Sequence, residues 1–322
     1  MWVQRRQLVA RLMGVAAAAA TLPADTQQAT AQTYPARPVR IVVPVAPGGA
    51  TDVTARLIGQ WLSDRLGQRF LVENRPGAAA LLAPPDGYTL LVADNSAAIN
   101  ANLSGSPSSG IARDASPVAG IARIPQVMQV TTSLPVRNVA EFIAYAKANP
   151  GKISLGSDGM NSPARVVGEY FKQATGTDLT DVPYRGAAAA VSDLIDGQIH
   201  VAFTEPATSL DQVRAGKLRA LAVTSAARSE MLPDVPTLAE FVPGFEASLW
   251  VGLVAPKDTP RAIVETLNAE INRGIADPKM RSRFAEFGAT ALPGSPAEFG
   301  NLIRDETARW GRVLRGARIK FE

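Results

Sequence analysis

Two junctions between an apolar run and a helical pattern carry residues suited to holding an anion. The first is Pro47-Gly48-Gly49-Ala50-Thr51-Asp52, which follows the apolar run Val39–Val45 and precedes Val53, Leu57 and Trp61, spaced four apart. Glycines let the backbone approach a guest closely. The first turn of a helix offers N–H groups without intrahelical partners and a partial positive charge. The same residues also suit a tight turn capped by Thr51 or Asp52. No Lys follows the glycines and their spacing is not G-x-G-x-x-G, so neither a P-loop nor a dinucleotide fingerprint is present. The second junction is Ser157-Asp158-Gly159-Met160-Asn161-Ser162-Pro163. Here small hydroxyl and amide side chains lead into a helix with Pro163 in its first turn, which reads either as an anion site or as a well-capped helix.

Two further loops add polar groups. Tyr184-Arg185-Gly186-Ala187 offers a phenol and a guanidinium able to pair with a carboxylate, although a solvated surface arginine fits as well. Asp94-Asn95-Ser96-Ala97 is small and polar and follows a strand. His200 lies in an apolar strand run and reads as a packed or surface histidine.

Catalytic chemistry finds little support. The chain has no Cys and one His, which removes thiolate nucleophiles, disulfides, zinc fingers and redox pairs, and leaves little for a triad or a histidine metal site. No nucleophile elbow, H-E-x-x-H or kinase signature occurs, and no carboxylates form a recognisable acid–base pair. The expectation is binding without catalysis, and no metal or cofactor. The formal charge of +4 has no polybasic run, which argues against nucleic acid as a partner.

The N-terminus reads as an export leader. Arg5, Arg6 and Arg11 precede the apolar run Leu12–Leu22, and Ala29-Thr30-Ala31 is an A-x-A cleavage site. The run is shorter than the roughly 20 residues a membrane span takes. Arg5-Arg6-Gln7-Leu8-Val9 fits a loose twin-arginine pattern, so export by the general secretory or the folded-protein route is expected, with a periplasmic mature chain.

Strand and helix patterns alternate along the rest. Strands are expected at Val39–Val45, Phe70–Glu73, Tyr88–Ala93, Ile153–Gly156, Ile199–Phe203, Leu218–Val223 and Leu249–Val254. Helices are expected after Asp52, over Val139–Ala148, around Val166–Phe171 and over Val191–Ile195. Another starts at Thr259 as N-cap with Pro260 behind it, and a last one is opened by the capping box Ser295–Glu298. Repeated strand–loop–helix units imply mostly parallel sheets flanked by helices, with ligands beyond the carboxyl ends of the strands.

Six segments in order carry a resemblance: Val42–Asp52, Val72–Gly77, Pro85–Leu90, Val182–Gly186, Ala215–Thr224 and Leu232–Thr237. Over nearly the whole mature chain they resemble the Bug-type receptors of tripartite tricarboxylate transporters. The resemblance implies an α/β, two-lobed periplasmic-binding-protein fold of the Venus-flytrap kind. It divides the chain into a signal peptide at 1–31, a discontinuous first lobe at 32–131 and 251–322, and a second lobe at 132–250. The implied ligand is a small organic acid, a di- or tricarboxylate, delivered to a two-component membrane permease. Alternatives are presentation of the solute to the periplasmic domain of a sensor kinase, or a degenerate paralogue that no longer binds. Carried over by position, the pocket takes Gly48, Gly49, Ala50, Thr51, Asp52, Ser96 and Ala97 from the first lobe. The second supplies Ser157, Asn161, Ser162, Pro163, Tyr184, Arg185, Gly186, Thr204 and Glu205.

The chain departs from the family pattern in places. Only Ala78–Pro84 stands where a helix of about a dozen residues is usual, barely enough for the crossover that parallel strands need. Asn102–Asp114 reads as a flexible Ser/Gly segment, Thr204 replaces an Asp that some members direct at a ligand ammonium, and Arg165 stands where a histidine is common.

Overall fold

The computed structural model describes residues 34–45, 47–75, 83–103, 110–159 and 162–316. The leader, Asn161 and most of the Ala78–Pro84 stretch lie outside the described residues.

Two mixed sheets organise the chain. The first contains β1 (Val39–Val43), β2 (Phe70–Asn74), β3 (Thr89–Asp94), β4 (Ala115–Ile124), β10 (Leu249–Pro256) and β11 (Thr290–Ala291), in the order β11-β4-β10-β3-β1-β2. The second contains β5 (Val127–Thr131), β6 (Ile153–Ser157), β7 (Leu179–Pro183), β8 (Val201–Thr204) and β9 (Leu218–Val223), in the order β7-β6-β8-β5-β9. The α/β pattern read from the sequence is therefore present in both lobes. Parallel ladders join β1 to β2 and β3, and β6 to β7 and β8. Antiparallel ladders join β10 to β3 and β4, β11 to β4, and β5 to β8 and β9.

The chain changes sheet at Pro125-Gln126, between β4 and β5, and again between β9 and β10. Proline has no N–H to continue a ladder, so a sheet change at Pro125 costs no hydrogen bond. This puts β5 in the second sheet and the whole of β10 in the first, whereas boundaries after 131 and 250 leave β5 with the first and split β10. The two passages are tied together. Gln126 N donates to Thr224 Oγ1 at 2.8 Å and Thr224 N donates to Gln126 O at 2.9 Å.

Local chemistry explains the main helices. In α1 (Ala50–Leu66) the residues on the sheet are Ala55, Ile58 and Leu62, while the Trp61 side of the helix turns toward α8 (Arg261–Ala276). Trp61 Nε1 donates to Glu270 O at 2.9 Å. Gly59 lets the helix lie close to β2, since a Cβ there would stand 3.1 Å from Val72 Cγ2. Gly67 ends α1 in the left-handed conformation (φ 69°). Pro260, and not Thr259, occupies the N-cap of α8, because the Thr259 hydroxyl is spent on Pro256 O at 2.7 Å. The capping box before α10 (Pro296–Gly316) forms as expected, with Ser295 N donating to Glu298 Oε2 at 2.7 Å and Glu298 N to Ser295 Oγ at 3.2 Å. In the segment expected to be irregular, helix α2 (Asn95–Leu103) runs further than its polar sequence suggests. The short α3 (Ile111–Asp114) buries Ile111.

One apolar cluster spans both sheets. It takes Val42, Leu91 and Trp250 from the first sheet and Phe203 from the second, with Ile99, Phe142, Phe171 and Trp310 from helices packed on them and Phe245 from the passage before β10. α10 contributes to this continuity. Its Trp310 meets Tyr170 of α5 (Pro163–Thr175) edge-on at 6.1 Å, and Gln173 Nε2 of α5 donates to Val313 O at 2.7 Å.

Candidate functional site

The carboxyl ends of both sheets abut the two chain passages. In the first sheet the last residue of β3, Asp94, pairs with Val251 near the start of β10. Asn95 then bonds both sides of the passage: its Nδ2 donates to Ser248 O at 3.1 Å, and its Oδ1 accepts from Trp250 N at 2.7 Å. In the second sheet the last residue of β8, Thr204, pairs with Val127 at the start of β5, two residues past Pro125. The helices that follow these strands therefore begin on facing sides of the same hinge. They are α1 and α2 from the first sheet, and α5, α6 (Ala187–Ile195) and α7 (Pro206–Arg214) from the second.

Asn161 aside, which lies outside the described residues, each expected residue has a definite place. Gly48 and Gly49 form the turn into α1, with Gly48 at φ 96° and Gly49 as an N-cap that supplies no side-chain hydrogen bond. Ala50, Thr51 and Asp52 make the first turn. Asp52 is buried and accepts from Gly48 N at 3.0 Å, Arg56 Nε at 3.0 Å and Asn74 Nδ2 at 2.8 Å. Burial raises its pKa, but the hydrogen bonds from Arg56, Gly48 and Asn74 outweigh that and hold it below the usual carboxylate value. Its carboxylate pins the glycine turn and faces protein donors.

At the start of α2, Ser96 and Ala97 serve Asp94. Thr51 Oγ1 donates to Asp94 Oδ2 at 3.0 Å, Ser96 N donates to Oδ1 at 3.0 Å, and the Ser96 hydroxyl donates there too. Ala97 N adds another hydrogen bond. Asp94 is fully enclosed, so burial raises its pKa despite these donors.

In the second sheet, Ser157 ends β6 and is 2% exposed, and its Oγ has no hydrogen-bond partner among the described residues. Ser162 caps α5, accepting from Arg165 N at 3.2 Å, with Pro163 behind it. The guanidinium of Arg165 pairs with Asp181 at 2.8 Å, a contact that ties α5 to β7. Tyr184 is held by a neighbouring helix. Its hydroxyl donates to Asp193 on α6 at 2.7 Å, and burial together with that carboxylate pushes the phenol up to about 12. Arg185 is exposed, and Gly186 (φ 106°) begins α6. Thr204 is 4% exposed and its hydroxyl is committed to Gln129 Nε2 at 2.6 Å and Ser209 Oγ at 3.0 Å. His200 is structural: its Nδ1 accepts from Ser154 N at 3.0 Å, and burial lowers its pKa.

Glu205 differs from all of these. Partly exposed at the start of α7, its carboxyl accepts no hydrogen bond from the described residues. Burial, then Asp158, then Asp94 raise its pKa to about 7. Asp94 and Asp158 fall inside the polar loops read from the sequence, although the residues carried over to the pocket do not single them out: Asp94 ends β3, and Asp158 follows β6 as Glu205 follows β8.

Among the described residues a depression of about 270 Å³ lies beside the hinge and is lined by Arg123, Ser225, Arg228, Glu246 and Thr290 among others. Its arginines are matched by Glu246 at 2.6 Å and Glu240 at 2.9 Å, so it offers little unspent positive charge.

Comparison with known proteins agrees with this architecture. Residues 54–318 match the family model described as tripartite tricarboxylate transporter family receptor. Protein BugT of Bordetella pertussis is 37% identical over 303 residues, covering 90% of this chain and 93% of that protein. Rpa4515 of R. palustris, solved with adipate, is 36% identical with a TM-score of 0.76, covering 88% of this chain and 98% of that one. MatC of Rhodopseudomonas palustris, solved with bound malate, is 30% identical with a TM-score of 0.73, covering 87% and 100%. The periplasmic binding protein BugD is 31% identical with a TM-score of 0.73, covering 90% and 100%. The family and the fold are those of solute-binding proteins. This chain belongs to the tripartite tricarboxylate transporter receptor family, among the Bug-type solute-binding proteins.

Proposed function

We propose that this chain, exported to the periplasm by its N-terminal leader, captures a small di- or tricarboxylic acid between its lobes and delivers it to a two-component membrane permease. The observation that carries this reading is the placement of the helix starts. α1 and α2 from one sheet and α5, α6 and α7 from the other open toward one hinge, so their polarised N–H groups address a shared space. A bound anion gains from several partial positive charges at once. This reading assigns the grip on a carboxylate to the Gly48-Gly49 turn and to Ser162 at the start of α5. Relatives solved with adipate and with malate support the ligand class.

Isothermal titration of the mature protein against adipate, malate and citrate tests the ligand. The expected result is one-site binding of at least one acid at micromolar or tighter affinity. Silence across all three, from a protein that melts cooperatively, refutes the ligand class. Co-purification of a two-component permease with the liganded protein tests delivery, and capture of a sensor kinase in its place refutes it.

A further inference from the structure

An anion site is expected to be electropositive, yet three carboxyl groups converge on this one. Gly156 of β6 pairs with Ala202 of β8, so continuing that register sets Asp158 level with Thr204 and beside Glu205. Asp94 approaches from the first sheet, and both carboxylates act on Glu205. Cations of the surrounding elements are engaged elsewhere. Arg56 is held by Asp52 and Asn74, Arg165 by Asp181 and Arg123 by Glu246, while the Arg185 side chain is exposed. The neutral donors are committed as well: Thr51 and Ser96 serve Asp94, and Thr204 serves the Gln129–Ser209 chain. Glu205 is the one of the three that combines partial exposure with a strong pull toward its proton.

Adding a dianion to three ionised carboxyls stacks like charges in a space of low dielectric, and helix ends offset only part of that. A protonated carboxyl reverses the sign of the local interaction, because it becomes an O–H donor. Ser157, with its buried and unpartnered hydroxyl on the strand next to β8, is a second donor at the same level of the sheet.

We propose that Glu205 meets the ligand as the neutral acid, donating its carboxyl proton to a carboxylate oxygen of the solute, so that each solute is captured together with one proton. This rests on the carboxylate reading above and adds a stoichiometry to it. The proton comes from bulk water and returns there on release. The free group holds its proton up to pH of about 7, so the linkage has a defined sign and window. Uptake on binding is about 0.1 proton at pH 6 and about 0.9 at pH 8, and affinity falls roughly 50-fold between pH 7 and pH 9.

Titrations with adipate and malate, repeated at pH 6 and pH 8 in buffers of differing ionisation enthalpy, count the protons directly. Net uptake rising toward one at pH 8, lost in Glu205→Gln together with the pH dependence of affinity, is the expected result. A merely structural role for Glu205 leaves the wild-type proton count at zero. At pH 8, where both free acids are fully ionised and the count belongs to the protein alone, binding without uptake, uptake that persists in E205Q, or proton release overturns the inference while leaving carboxylate binding intact. Failure of both acids to bind removes the reading on which it rests, and the inference with it.

Discussion

Removing the Asp52 carboxylate measures how much the glycine turn owes to a single side chain. Three donors converge on it, and hydrogen bonds to a charged group are worth about 1.5–3 kcal/mol each, so a naive sum for Asp52→Ala exceeds about 4 kcal/mol. The structure lowers that figure. Arg56 is 51% exposed and water replaces most of what it loses. Asn74 Nδ2 keeps Val45 O as a second acceptor at 3.1 Å. Only the Gly48 N–H loses its sole partner among the described residues. The expected loss is therefore about 2–3 kcal/mol, read as a lower urea midpoint at unchanged slope. Because the folded-state pKa of Asp52 lies below its ordinary value, the contribution is fully present above about pH 4 and is lost as pH falls through the folded value. The difference between wild type and D52A should thus shrink in acid. A loss under about 0.5 kcal/mol at pH 7, or one that does not change down to pH 3, refutes this account of the turn.

Other perturbations separate structural from binding roles. Gly252→Ala on β10 drives a methyl group into the Phe299 ring and to 2.6 Å from Ala119 O, so it should destabilise by about 1–3 kcal/mol or more in thermal melts. Tyr184→Phe loses the hydrogen bond to Asp193 and about 1 kcal/mol, but leaves adipate and malate affinity unchanged by titration, because that hydroxyl faces α6. Asp181→Ala takes the carboxylate from the Arg165 guanidinium, where the two side chains are 12% and 13% exposed; a cost of about 3–5 kcal/mol is expected in urea unfolding. Glu205 has a raised folded pKa, so its contribution to stability is complete below about pH 4.5 and declines as pH rises toward 7. E205Q should flatten that part of the unliganded stability profile, a slope approaching 1.4 kcal/mol per pH unit.

Much of the architecture was legible because burial on both faces leaves a plain mark. Val39–Val43 and Leu218–Val223 are short, mostly apolar runs with few other readings, and Gly67, Gly176 and the Ser295–Glu298 box stop or start helices by local chemistry alone. The crossing strands β4 and β5 were harder to see. Pro117 and Gly120 interrupt the first, and Gln129 sits at 0% exposure in the second, its amide used on Thr204. Among the site residues, position at a strand end could be read, but the direction of each side chain could not. Tyr184 and Thr204 have the right types and places, yet both hydroxyls are claimed by neighbours distant or unremarkable in sequence. Asp158 and Asp94 passed as loop polarity because Asp158 meets Glu205 only through the β6–β8 register, and Asp94 only through how the two sheets face each other.

The long C-terminal helix sets a mechanical limit on this receptor. At 21 residues, or about 30 Å, it is a rod rooted beside Trp250 and Pro117, with its far turns resting on Tyr170 and Gln173. A stiff brace fastened to both leaves is expected to limit how far they part, so Gln173→Ala, which frees its far end, should speed exchange of a bound acid in both directions in stopped-flow measurements.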